Sequence, residues 1–378
     1  MATPFAIQHH FRNLKDPRIN RRKLHLLSDI IVIALCAVLC GAKDWQQVET
    51  FGKQRRDWLR RFLKLPNGTP SHDTFERLFD RIDPRAFQQG FQSWVAAIAA
   101  KLNIKHIAID GKTLRGSGSP KLGPLHLVSA WATEQHLSLG QVATAEKSNE
   151  ITAIPELLEM LELHGAIVTI DAMGCQKAIA SKIIERGGHF ALTVKENQPK
   201  LLDDIRNAVG RALESDFQGI KHDQHSTEDR GHGRVEKRHY TILYDPEGIT
   251  RKDEWESLRV VGMCVRERQV GTAAATMEAS YFIGSKVMSA KSYGKVLRNH
   301  WGIENNLHWQ LDVSFSEDDN RVTKRNGAEN LALLRKLALM MLKRHPSKQS
   351  FACKQLLAAL NPQFLEEVLL ANGNSDKI

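Results

Sequence analysis

The chain has 378 residues, 42% hydrophobic and 25% charged, an ordinary globular composition that permits a sizeable core in two or three domains. Its net charge of +10 favours a polyanionic partner, nucleic acid or an anionic membrane surface. No membrane-spanning helix is expected, because the one apolar run, Ile30 to Cys40, has 11 residues where a bilayer needs about 20. That run also lies behind charged residues, unlike a signal peptide. The five cysteines (Cys36, Cys40, Cys175, Cys264 and Cys353) are scattered and show no C-x-x-C zinc pattern, as expected of reduced thiols in a cytoplasmic protein.

Residues 1–100 read as a helical, basic domain that binds DNA. Residues 1–64 alone hold 13 Lys or Arg against 5 Asp or Glu, which leaves the rest of the chain nearly neutral. Ser28 or Asp29 is expected to cap a buried helix over 30–40. Trp45, Val48, Phe51, Trp58, Leu59 and Phe62 then recur at helical spacing. The turn LPNGTPS leads into a helix with Phe75, Leu78, Phe79 and Ile82 on one face. This succession is compatible with a helix-turn-helix. Arg21, Arg22, Lys23, Arg55, Arg56, Arg60 and Arg61 are the candidate phosphate contacts. A solvated basic face is the competing reading.

Residues 101–200 read as α/β. HIAID is a short strand ending at Asp110, and LHLVSAWAT and LSLGQVATA are two more. PELLEMLEL is a helix after Pro155, AIVTID a strand ending at Asp171, QKAIASKIIERG a helix and HFALTVK a strand. The order implies a mixed sheet with helices on its faces. Residues 201–288 change character. After a short helix near LLDDIRNAV, three strands follow in VEKRHYTILY, LRVVGMCVRE and MEASYFIGS, joined by polar loops, and the block reads as a β-rich insertion. Residues 289–378 are helical again, with one helix within KSYGKVLRNHWGIENNLHWQLDVSF and a second in NLALLRKLALMMLKRH.

Asp110 and Asp171 share a context: an apolar strand, then the acid, then a small residue. Ligands gather at the carboxyl ends of strands in open α/β sheets, although Asp also ends strands as a turn former. Two carboxylates ~4 Å apart repel by about 4 kcal/mol at an effective dielectric near 20, so such a pair needs a proton or a cation. Oxygen ligands select Mg²⁺ or Mn²⁺, and two such ions suit in-line displacement at a phosphodiester. Glu304, among aromatics and amides in HWGIENNLHW, is the candidate third acid. A zinc site on His300, Glu304 and His308 is the rival, but the two imidazoles are eight residues apart, about 12 Å along a helix. His300 and His308 are expected to flank a phosphate or to pack on Trp301 and Trp309. Those tryptophans read as core, with stacking on a flipped base as the alternative.

The segments IAIDGKTLRGS, TIDAMGCQ, LTVKENQP and RNHWGIENNLHWQLDVSFSED, in that order, resemble the H-repeat-associated transposases of bacteria, insertion-sequence transposases with an Asp-Asp-Glu triad. The resemblance runs from the DPR motif at Asp16–Arg18 to the C-terminal helices. It implies a ribonuclease-H-like catalytic core with a β-rich insertion, preceded by a helical N-terminal domain. Asp110 would end the first strand of that core, Asp171 the fourth, and Glu304 would lie on its closing helix.

The implied activity is metal-dependent cleavage at element ends followed by strand transfer, with two Mg²⁺ ions (or Mn²⁺) held by Asp110, Asp171 and Glu304. The implied partners are double-stranded DNA, as terminal repeats and target, and a second copy of the chain; the implied setting is the bacterial nucleoid. Lys112, Arg115, Lys195, Arg230, His232 and Arg234 are further candidate DNA contacts, and Asn197 lies beside Lys195. Related transposases place an Arg four residues before the Glu and a Lys seven after it. Here those positions hold His300 and Leu311, and Arg298 offers the charge from a shifted place. A nuclease on the same core and a decayed, purely DNA-binding transposase are the alternatives.

Overall fold

A nine-stranded mixed sheet, in the order β3-β2-β1-β4-β5-β9-β8-β7-β6, runs through the molecule. The computed structural model describes residues 6–100, 102–120, 123–144, 150–231 and 233–370, without the side chains of Ala6 and Arg22. His232, a candidate DNA contact, lies outside the described residues.

Among the described residues, six α-helices precede the sheet: α1 (Ala6–His10), α2 (Leu27–Leu39), α3 (Trp45–Gln54), α4 (Arg56–Leu59), α5 (His72–Phe79) and α6 (Pro84–Ala99). Helix α2 is buried from Asp29 to Leu39. A helix apolar all round needs neighbours on every side, and α3 packs on one side of it and the later helix α12 (Arg325–Arg344) on another. Neither Ser28 nor Asp29 caps it. The helix begins at Leu27, and Asp29 points inward to accept the backbone N–H of Leu65 at 3.0 Å.

Trp45 at the start of α3 stacks on Phe75 of α5, with ring centroids 6.2 Å apart. The amide of Asn330 in α12 donates to the carbonyls of Phe79 and Ile82, closing the C-terminal end of α5. One apolar core therefore runs from Ile7 and Phe11, through α2 and the sheet, to Leu369.

Strands β1 (His106–Leu114), β2 (Leu125–Ala132) and β3 (Leu137–Thr144) form an antiparallel meander. β4 (Ile167–Ile170) and β5 (His189–Val194) then add in parallel beside β1, joined by the crossover helix α8 (Lys177–Glu185). Helix α7 begins at Glu150, earlier than expected, and holds Pro155 within it. α9 (Pro199–Glu214) leads into β6 (His222–Gly231), β7 (Arg234–Tyr244), β8 (Val260–Val270) and β9 (Thr276–Gly284).

The β-rich block thus has four strands rather than three. It prolongs the main sheet, because β9 pairs antiparallel with β5. The added strand is β6, whose ten polar or glycine residues form the sheet edge, where charged residues are favoured because they discourage pairing with another chain.

Period two divides the faces of the sheet. His126 of β2 bonds Glu150 at the start of α7, while Ser129, of opposite parity, bonds Lys336 of α12. α7 and α12 therefore cover opposite faces. Helix α10 (Ala290–His300) joins α12's side, crossing β1, β4 and β5.

Candidate active site

The site forms where β1 outlasts its neighbour. The parallel register pairs Ile107 with Val168, Ala108 with Thr169 and Ile109 with Ile170, and there β4 stops. The next residues are Asp110 and Asp171. β1 itself does not end at Asp110, because its antiparallel pairing with β2 continues to Leu114↔Leu125. Asp110 is thus held inside a strand, while Asp171 turns away to cap a short 3-10 turn, accepting the N–H groups of Met173 at 3.1 Å and Gly174 at 3.4 Å.

Glu304 follows α10 and opens a single π-type turn, Glu304–His308, that leads into α11 (Trp309–Phe315). π turns inside helices are frequent at functional sites. Ile303 and Leu307 bury this turn in the core, and Lys343 of α12 donates to Asn306 at 3.0 Å. Glu304 is left exposed on the outer side.

The carboxyl of Asp110 is strongly perturbed. Burial pushes its carboxyl up to about 7, and the charges of Asp171, Glu304 and Glu150 add to this. Burial also raises Glu304. Among the described residues, no three His, Cys, Asp or Glu side chains stand close enough to enclose an ion as they are. The donors are nevertheless oxygen atoms carrying surplus negative charge, which suits a hard divalent cation.

Two histidines flank Glu304 from beneath. His300 Nδ1 lies 3.0 Å from Thr169 Oγ1, which also meets His106 Nε2 at 2.8 Å. His308 Nδ1 lies 3.5 Å from Asp110 Oδ2. Burial lowers His300 to about 4 and His308 well below its usual range, so both are neutral. They face the sheet on separate partners, Thr169 and Asp110. Trp301 and Trp309 are 58% and 54% exposed. That corrects the expectation of core packing.

Residues 101–341 match the family model described as "Transposase DDE domain", and residues 8–95 match the one described as "DDE_Tnp_1-associated". The chain belongs to the DDE transposases. It is 40% identical to "Putative transposase YncI" of Escherichia coli O157:H7, covering 94% of this chain and 92% of that protein. It is 36% identical to "H repeat-associated putative transposase YhhI" of E. coli K12, covering 98% and 99%. A piggyBac transposase synaptic complex with hairpin DNA aligns over 100% of this chain and 79% of its own at TM-score 0.41 and 10% identity. The protein is a transposase of the insertion-sequence kind, from a family of DNA-cleaving enzymes, and DNA is its partner.

The transposase uses several of its candidate DNA-contact residues internally. Lys112 is 11% exposed; its ammonium bonds Asp312 and Glu317 and lies 3.7 Å from Asp318. Burial opposes that charge, but the acids outweigh burial and raise its pKa. Arg298 pairs with Asp229 of β6 at 2.7 Å rather than leaning over Glu304. Arg55 bonds the carbonyl of Ala359, Arg61 pairs with Glu366 at 2.8 Å, and Lys23 lies 3.9 Å from Asp16.

Others face outward. Arg21, Arg56 and Arg60 are exposed. Arg115 is 83% exposed and 3.4 Å from Asp318. Lys195 is exposed after β5, at the same end of the sheet as Asp171, and Asn197 donates to the carbonyl of Ala172 at 2.7 Å. Arg230 is the last residue but one of β6 and Arg234 opens β7, each beside a glutamate of its own strand, Glu228 at 2.6 Å and Glu236 at 3.9 Å.

Sequence reasoning missed the buried pair of His126 and Glu150, 2.6 Å apart beneath Gly111, and the buried Lys336. No helix among the described residues is long and apolar enough to cross a membrane.

Proposed function

We propose that Asp110, Asp171 and Glu304 are the cation-holding acids of a ribonuclease-H-like core that cuts element ends and joins them to target DNA. The observation that carries this reading is the parallel register, which brings Asp110 beside Asp171 at the point where β4 ends. The elevated pKa of Asp110 supports it: burial raises it first and the charges of Asp171 and Glu304 add to this, and a bound cation would offset both. Mg²⁺ or Mn²⁺, bound as a pair, would supply Lewis acidity and charge neutralisation at the scissile phosphate.

The chain supplies the rest. Asp110 is fixed within a strand, Asp171 is oriented by the two N–H groups it accepts, and Glu304 is presented on an anchored turn. The basic helices of residues 1–100 would hold the terminal repeats, with Arg21, Arg56 and Arg60 on the phosphates. Lys195 and Arg115 would contact DNA near the cut, with Arg230 and Arg234 reaching it from the tip of the β6–β7 hairpin. Two copies acting together would pair two element ends in the bacterial cytoplasm.

The test is Asp110→Asn, Asp171→Asn and Glu304→Gln, each assayed for binding and for Mg²⁺-dependent cleavage of a duplex carrying the element's end. Each variant should bind as the wild type does and fail to cleave. Wild-type cleavage by any one removes that residue from the site. Cleavage without strand-transfer products would favour a nuclease, and inactivity of the wild type would favour a decayed copy.

A further inference from the structure

The chain that carries Glu304 is tied to β1 by successive polar contacts, and one of these uses charges that the cleavage site does not. Asp110 and Lys112 are two apart on β1, so they share a face and stand about 6.6–6.8 Å apart. His308 and Asp312 are four apart on the overlying chain, about 6 Å along a helix. The spacings match: His308 stands over Asp110 at 3.5 Å, and Asp312 over Lys112.

Beyond α11 the chain reverses at Ser316, which adopts the left-handed conformation with φ of 50°. The reversal brings Glu317 and Asp318 onto the same ammonium, with Glu317 Oε2 at 2.7 Å and Asp318 Oδ1 at 3.7 Å. Glu317's side chain is 1% exposed. Gly116, just past β1, packs so closely on the carbonyls of Asp318 and Asn320 that a Cβ there would collide with both.

Resting on the cleavage-site reading above, we propose that Lys112, with Asp312 and Glu317, is a positioning clamp that sets the separation of Asp110 and Glu304. Its cation lies two residues after one site carboxylate and its acids shortly after the other, so it joins segments 200 residues apart in sequence right beside the site. A buried ion pair is a poor source of stability, since apolar residues of similar size often serve as well or better. What it does supply is fixed geometry, and a site of this kind needs its groups held to within about 0.5 Å.

The test uses the double variant Lys112→Met with Glu317→Gln, which keeps side-chain size and leaves neither member of the central pair charged alone. Mn²⁺ binding to the full chain is followed by electron paramagnetic resonance, beside the melting temperature and binding of an element-end duplex. The double variant should melt near the wild type and bind DNA equally, yet bind Mn²⁺ at least tenfold more weakly. Lys112→Arg should recover most of that affinity. If the double variant does not fold, Asp312→Asn decides, because it leaves the Lys112–Glu317 pair intact; it should weaken Mn²⁺ at least threefold.

Mn²⁺ affinity within twofold of wild type in a folded double variant, or in Asp312→Asn when that variant decides, overturns the clamp. Asp110→Asn is measured alongside. Weakened binding there with unchanged clamp variants overturns the clamp alone, whereas unchanged binding in Asp110→Asn overturns the cleavage-site reading itself.

Discussion

His308 Nδ1 lies 3.5 Å from Asp110 Oδ2, and its other ring nitrogen is buried without a partner. Burial, helped by the nearby charges of Lys336 and Lys112, keeps the ring neutral. It therefore adds a polar wall beside the carboxylate rather than a charge. Groups that orient the acids of a metal site typically cost about 10–100-fold in activity when removed. His308→Leu is expected to lower cleavage by about that factor with element-end binding unchanged. His308→Asn, whose amide nitrogen falls near the place of Nδ1, should retain more activity than His308→Leu. Full activity in His308→Leu would make the contact incidental.

The sequence offered both members of this pair, Asp110 and His308, but not their contact. Asp171 announces itself at the end of IVTI, and β7, β8 and β9 show their apolar residues plainly. β6 shows no apolar period, because its residues are all polar or glycine even on the side that α10 covers. Lys112 reads as a DNA contact in isolation, and only the tertiary fold brings Asp312, Glu317 and Asp318 to it. The tryptophans misled in the opposite direction. Aromatics at helical spacing usually mean core, yet Ile303 and Leu307 take the buried side of the turn and leave Trp301 and Trp309 outside.

That exposure carries its own expectation. Removing an exposed side chain that has no special role shifts stability by roughly 0.5 kcal/mol or less. A base stacked on an aromatic ring is worth about 1–3 kcal/mol. Trp301→Ala and Trp309→Ala should melt close to the wild type but bind an element-end duplex with one unpaired nucleotide at least fivefold more weakly. Fluorescence of 2-aminopurine at that nucleotide would report the stacking directly. A large fall in melting temperature with unchanged DNA binding would return both residues to a packing role.

The basic residues of the first 64 positions divide by their partners. Arg56 and Arg60 are exposed, whereas Arg55 bonds the carbonyl of Ala359 and Arg61 bonds Glu366, which also accepts from Trp58 Nε1 at 2.6 Å. Each phosphate contact releases counterions, and losing one reduces the salt slope of binding by about 1. Arg56→Ala and Arg60→Ala should each reduce that slope by about 1 without altering the melting temperature. Arg55→Ala should instead lower the melting temperature, because it frees the end of α13 (Phe351–Leu360). Equal salt slopes in all three variants would move DNA recognition to another surface.

Lys336 offers a test on stability rather than on DNA. Its ammonium is buried behind β2, donating to Ser129 Oγ and Gln141 Oε1, each at 2.7 Å, with no carboxylate in contact among the described residues. Burial lowers its pKa to about 8, against roughly 10.4 in an unfolded chain. Below pH 8 both states hold the proton, and the folded state bears the cost of a buried charge. Between about 8 and 10.4 the folded state releases the proton first. The unfolded state then binds more protons, so this residue's contribution makes stability rise with pH.

Lys336→Met removes the cost but leaves the Gln141 oxygen without a donor, a loss of about 1 kcal/mol. The variant is expected to be more stable than wild type by about 1–2 kcal/mol at pH 7. The gain should shrink steadily above pH 8 and vanish near pH 10. Urea denaturation of both proteins at pH 7, 8.5 and 10 measures it. A variant less stable than wild type at pH 7, or a difference that does not change with pH, would mean that Lys336 is already neutral in the folded protein or that its two hydrogen bonds outweigh its burial.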